Sequence, residues 1–108
     1  MLVCSLMITA GSLSAQVISE LPPFERAIAV IKHFEGLHNK AEHYPYVGYG
    51  HKVLPGENLS MDMTEEEADR LLRSDLMKLC KMFSGYGQDS LLLATLAYNV
   101  GYVNEYVM

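Results

Sequence analysis

The sequence predicts an α+β fold, mainly α, with one small β-hairpin. Three observations predict it. Residues 22–36 and 64–83 carry apolar side chains at spacings of three and four, between recognisable helix start and stop signals. Residues 89–100 are apolar almost all the way round, as in a central helix. Between the first two segments lies a stretch rich in Tyr, Gly and Pro, which suits a short twisted ribbon better than a helix. With 108 residues, the chain is long enough for one domain and not two.

The N-terminal stretch Met1 to Ala15 has no charged side chain and ends Ser12-Leu13-Ser14-Ala15. Small Ala15 at the last position fits a cut after it, although Leu13 at the third-last is larger than the ideal, and the expected organisation is a signal peptide over 1–15 with the folded domain over 16–108. No basic residue precedes the apolar stretch, so two other readings stay open: a weakly hydrophobic anchor, or a buried N-terminal helix. The stretch is too short for a stable membrane span, which takes about 20 apolar residues.

Pro22-Pro23 opens the first helix, because proline is tolerated where the missing N–H has no partner to lose. Phe24, Ala27, Ile28, Ile31, Phe34 and Glu35 then trace one face, and Gly36 stops the helix. Glu35 is the informative position. It continues an apolar stripe in the last turn, where a purely structural helix would carry Leu or Ala.

Leu37 to His51 is the ribbon, with Tyr44, Tyr46, Val47 and Tyr49 interleaved by Gly48 and Gly50; Pro45 confines it to an edge. Leu54-Pro55-Gly56-Glu57 is a turn. Thr64-Glu65-Glu66-Glu67 is a capping box that starts the second helix, stabilising it by about 1 kcal/mol. Its glutamates read as a cap and a solvated face rather than a metal site. Ala68, Leu72, Leu76, Leu79 and Phe83 form its expected buried face, and Ser84-Gly85-Tyr86-Gly87 ends it. The last helix starts at Asp89 or Ser90 and runs to Val100, with Gly101 at its C′ position and Asn99 expected to satisfy a backbone group.

The net charge of −5 argues against a sequence-independent grip on nucleic acid. Cys80, once Cys4 is removed with the leader, is a lone thiol with no metal-ligand spacing around it, and reads as structural.

Phe34-Glu35-Gly36-Leu37, Val47-Gly48-Tyr49-Gly50-His51, Thr64-Glu65-Glu66-Glu67-Ala68 with Leu71-Leu72 and Asp75-Leu76, and Ala97-Tyr98-Asn99-Val100-Gly101, in this order and spacing, resemble the phage-type lysozymes, the muramidases of glycoside hydrolase family 24. The resemblance covers about residues 24–101. It implies a lysozyme-like fold lacking its C-terminal helices, since the tail to Met108 keeps none of the expected continuation. It further implies hydrolysis of the bond between N-acetylmuramic acid and N-acetylglucosamine by an exported, periplasmic or secreted enzyme. Such an enzyme serves wall catabolism, cytolysis or defence against bacteria. Its partner is the peptidoglycan glycan strand, and it needs neither cofactor nor metal.

In that family the acid is the helix-ending glutamate, which is Glu35, and the histidine of G-x-G-H, here His51, sits beside it. The aspartate and threonine that position water in the family are missing. Tyr46 occupies the threonine position, and Glu42 and His43 are the nearest replacements for the aspartate. The catalytic candidates are therefore Glu35, Glu42 and His43, with Tyr46 and His51 as substrate-binding candidates. Desolvation of Glu35 should raise its pKa, as a general acid requires. A bond from His51 could modify that effect in either direction. Peptidoglycan is largely anionic, so the acidic balance of the chain gives such an enzyme no electrostatic help. An inactive remnant, or an exported glycan-binding or interaction protein, is the alternative reading.

Overall fold

The computed structural model describes residues 20–100. The leader over 1–15, Cys4, Gly101 and the tail to Met108 lie outside the described residues. Within them, helix α1 spans Pro23–Glu35 and a short 3-10 turn spans Ala41–His43. Strands β1 (Tyr46–Val47) and β2 (His51–Lys52) follow, then helix α2 (Glu65–Met82), a 3-10 stretch (Ser84–Asp89) and helix α3 (Ser90–Asn99). The architecture is mainly helical with one two-stranded antiparallel sheet.

α1 begins with proline in its first turn and buries Ala27, Ile28 and Ile31. Gly36, at φ 73°, closes it and donates its N–H to the Lys32 carbonyl at 3.0 Å. At about 100° per residue, the inward face is centred between Ile31 and Glu35. Phe34 falls on the margin of that face and is 74% exposed, contrary to its expected place in the apolar stripe.

The strand register pairs Tyr46 with Lys52 and Val47 with His51, so Gly48-Tyr49-Gly50 forms a three-residue turn. Gly48 and Gly50 take φ values of 65° and 94°, which only glycine adopts without strain. A bridge between His38 and Gly48 adds the segment after α1 to the ribbon, with His38 N–H to Gly48 O at 2.7 Å and Gly48 N–H to His38 O at 2.9 Å.

α2 carries the expected capping box: Thr64 Oγ1 accepts from the Glu67 N–H at 3.2 Å, and the Glu67 carboxylate accepts from the Thr64 N–H at 2.9 Å. Its buried positions are Ala68, Leu72, Asp75, Leu76 and Leu79, while Phe83 packs half-buried against the core. Ile31, Val47, Leu72, Leu76 and Leu79 are the largest fully buried side chains. Each stabilises the fold by about 1.5–3 kcal/mol relative to exposure. α2 is also tied to α1 at the surface, by Arg73 to Glu25 and Lys32 to Asp69. These pairs are partly solvated and contribute about 1 kcal/mol or less each.

α3 packs on both other helices but is not enclosed. Ala94, Ala97 and Tyr98 are buried, whereas Leu92, Leu96 and Val100 are 60%, 54% and 71% exposed. The expectation of a central, buried helix is corrected here, because the described elements cover only one of its sides. Asn99 is likewise exposed rather than buried against a backbone group. Cys80 is half-buried against the core, and burial pushes its thiol pKa up, away from reactivity.

Candidate active site

Three glycine-dependent features bring α1 and the ribbon together. Gly36 ends the helix one residue after Glu35, so the carboxyl is delivered in the last turn. Gly48 seats the turn beside Met63 and on Ala68 of α2, where an added Cβ would be in ordinary contact at 3.4 and 3.5 Å, so it is the φ of 65° that calls for glycine. Gly50 leaves the space that Glu35 uses. A Cβ there would lie 2.7 Å from Glu35 Oε1 and 3.1 Å from its Cδ.

Glu35 is thus half-buried, with its carboxyl against the backbone of the ribbon turn. Burial raises its pKa above the ordinary carboxylate value, and the nearby charge of His38 works in the opposite direction without cancelling the rise. The buried Tyr98 lies close by. Its phenol donates to the Tyr49 carbonyl at 2.6 Å, which ties α3 to the turn. Burial, with the charges of Asp75 and Glu35, holds that phenol protonated well above its usual range.

His51 stands in the wall behind this surface, 5% exposed. Its Nδ1–H donates to Asp75 Oδ2 at 2.6 Å and its Nε2 to the Glu57 carboxylate at 2.9 and 3.2 Å. Burial opposes charge on the ring, but the hydrogen bonds and charges of Asp75 and Glu57 outweigh it, and the pKa is raised. Glu57 also accepts from the Leu54 N–H at 2.8 Å. Its own desolvation is more than offset by these bonds, so its pKa is lowered. The bond from His51 that could have modified Glu35 is not formed, since both ring nitrogens are engaged by Asp75 and Glu57. A contact from His51 to a bound sugar would require one of those bonds to break.

The remaining candidates divide. Tyr46 is on β1, 38% exposed, with its ring 6.4 Å from that of His38. His43 is half-buried beside them, its ring edge-on to His38 at 5.1 Å. Its Nδ1 accepts the Lys40 N–H at 3.2 Å, so in the neutral ring the proton sits on Nε2 and the ring can donate but not accept there. Glu42 is exposed on the 3-10 turn and is not among the groups whose charge acts on Glu35. The structure therefore brings Tyr46 and His43 together around His38 and leaves Glu42 apart.

His38, Glu57, Asp75 and Tyr98 were not singled out from sequence as site residues. Asp75 had a readable signal, a carboxylate on the inward stripe of α2. His38 had none beyond its place three residues after Glu35, because its role comes from the bridge to Gly48.

Two open depressions, one lined by Lys32, Glu65, Glu66, Asp69 and Arg70 and one by residues around Leu59 and Met63, do not include Glu35. Among the described residues, no group of three or more His, Cys, Asp or Glu could hold a metal ion, and no helix is long and apolar enough to cross a membrane. No protein family, curated protein or solved structure was found to match the chain.

Proposed function

We propose that this chain is an exported peptidoglycan hydrolase of the muramidase type, with Glu35 as the general acid that protonates the leaving glycosidic oxygen. The single observation that carries the reading is the state of Glu35. A carboxyl in the last turn of α1, seated against Gly50 and partly removed from water, has its neutral form favoured. A glycosidic acid must hold its proton near the working pH and surrender it as the C–O bond breaks. The motif order of the sequence supports the same substrate, a glycan of alternating N-acetylmuramic acid and N-acetylglucosamine.

The test is release of new reducing ends from purified peptidoglycan, with clearing of its suspension. The wild type should do both. Glu35→Gln keeps the shape and loses the proton, so it should be slower by about 100-fold or more. Equal rates for the two proteins would remove Glu35 from the mechanism.

A second reading, an exported glycan-binding protein without hydrolysis, is favoured by one feature. Among the described residues, no second carboxylate contributes to the charge acting on Glu35, while Tyr44 and Tyr46 are exposed where sugar rings could stack. It predicts sedimentation of the protein with peptidoglycan and no new reducing ends.

A further inference from the structure

The hydrolase reading leaves one step without an agent, the removal of a proton from the attacking water. Four histidines lie in the chain, and the hydrogen bonds of three ribbon-side rings discriminate among them. His51 has both nitrogens committed to carboxylates. The lone pair of His43 Nδ1 is taken by the Lys40 N–H, so its Nε2 carries hydrogen. His38 is the reverse case. Its Nδ1 lies 3.2 Å from the Gly48 carbonyl, which can only accept, so in the neutral ring Nδ1 holds the proton and Nε2 carries a lone pair. His33, the fourth, is exposed on α1 with its ring against Phe34.

Position agrees with protonation state. His38 is pinned to Gly48 by two backbone hydrogen bonds and one from its ring, and the Glu35 carboxyl lies against Gly50. The two anchor residues are two apart in one tight turn. The His38 ring is also near enough to Glu35 for a charge on it to act on that carboxyl. The rings of His43 and Tyr46 lie beside His38, with centroids 5.1 and 6.4 Å from its own.

Resting on the hydrolase reading, we propose that His38, held by Gly48 in its Nδ1–H form, is the base that activates water opposite Glu35. The Glu35 carboxyl gives its proton to the glycosidic oxygen as the bond from C1 to that oxygen breaks, its electron pair going to the oxygen. The water oxygen bonds to C1, and the water proton passes to His38 Nε2. The imidazolium then loses that proton to solvent and Glu35 regains one, so the net change is addition of one water.

The experiment measures reducing ends released from purified peptidoglycan by the wild type, His38→Asn, His38→Ala and Glu35→Gln, each with and without added imidazole. Asn keeps an N–H that can reach the Gly48 carbonyl but has no basic lone pair, so it carries the test if His38→Ala fails to fold. Both His38 variants should be about 100-fold slower or more, and imidazole should recover about tenfold in His38→Ala but nothing in Glu35→Gln. Activity of folded His38→Asn within about threefold of wild type, or no recovery in folded His38→Ala, would overturn the assignment and leave the hydrolase reading standing. Failure of both His38 variants to fold would make the ring an anchor only and also overturn it. A wild type that releases no reducing ends would end both proposals.

Discussion

Gly50→Ala separates the stability of the fold from the placement of its acid. The new Cβ would lie 2.7 Å from Glu35 Oε1, whereas ordinary contact begins near 3.4 Å, so the oxygen must retreat by about 0.7 Å. The atom in the way is the far end of a flexible side chain, and it can swing toward water at little cost. The backbone is less forgiving, because φ at Gly50 is 94° and an L-residue there costs roughly 1–2 kcal/mol. A domain of this size should then lose about 5–15 °C in melting temperature and still fold. Glu35, once in solvent, should titrate closer to an ordinary carboxylate, because the burial that raised its pKa is relieved. Displacement of a reacting group by nearly 1 Å can lower a rate by about 100-fold. Calorimetry, carboxyl NMR titration and reducing-end release read the three effects independently. A folded Gly50→Ala protein whose Glu35 titrates as in wild type, with undiminished hydrolysis, would refute the claim that this glycine seats the acid.

Two further predictions concern the fold behind the site. The raised pKa of His51 means its contribution to stability is complete below its ordinary value of 6.5 and is lost as pH rises through the folded value. The lowered pKa of Glu57 means its contribution is present above 4.5 and is lost as pH falls through its folded value. Stability from this cluster should therefore peak between those limits. Asp75→Asn should remove about 3–5 kcal/mol there and flatten the alkaline side of a plot of melting temperature against pH. An unchanged profile would deny the buried pair its role. Leu76→Ala, at a side chain with no exposure, should cost about 2–5 kcal/mol in urea unfolding, and a cost under about 1 kcal/mol would mean the core is not packed as described.

The difference between what could and could not be read from sequence follows the range of each interaction. Local signals set the elements. Pro23 and Gly36 bound α1, Thr64 and Glu67 cap α2, and the Tyr-Gly alternation makes the turn at Gly48–Gly50. Each acts within a few residues, so spacing alone reveals it, and the place of Glu35 at the end of a buried stripe is of the same kind. Tertiary structure decided the rest. Whether α3 is enclosed depends on what packs over Leu92 and Leu96, which composition cannot express. The partners of His51, Asp75 and Glu57, lie 24 and 6 residues away in sequence, and the choice of these over Glu35 is settled by which wall the ring faces. His38 owes its tautomer to a carbonyl ten residues on. Hydrogen-bond direction and burial are properties of assembled surfaces, and no local pattern encodes them.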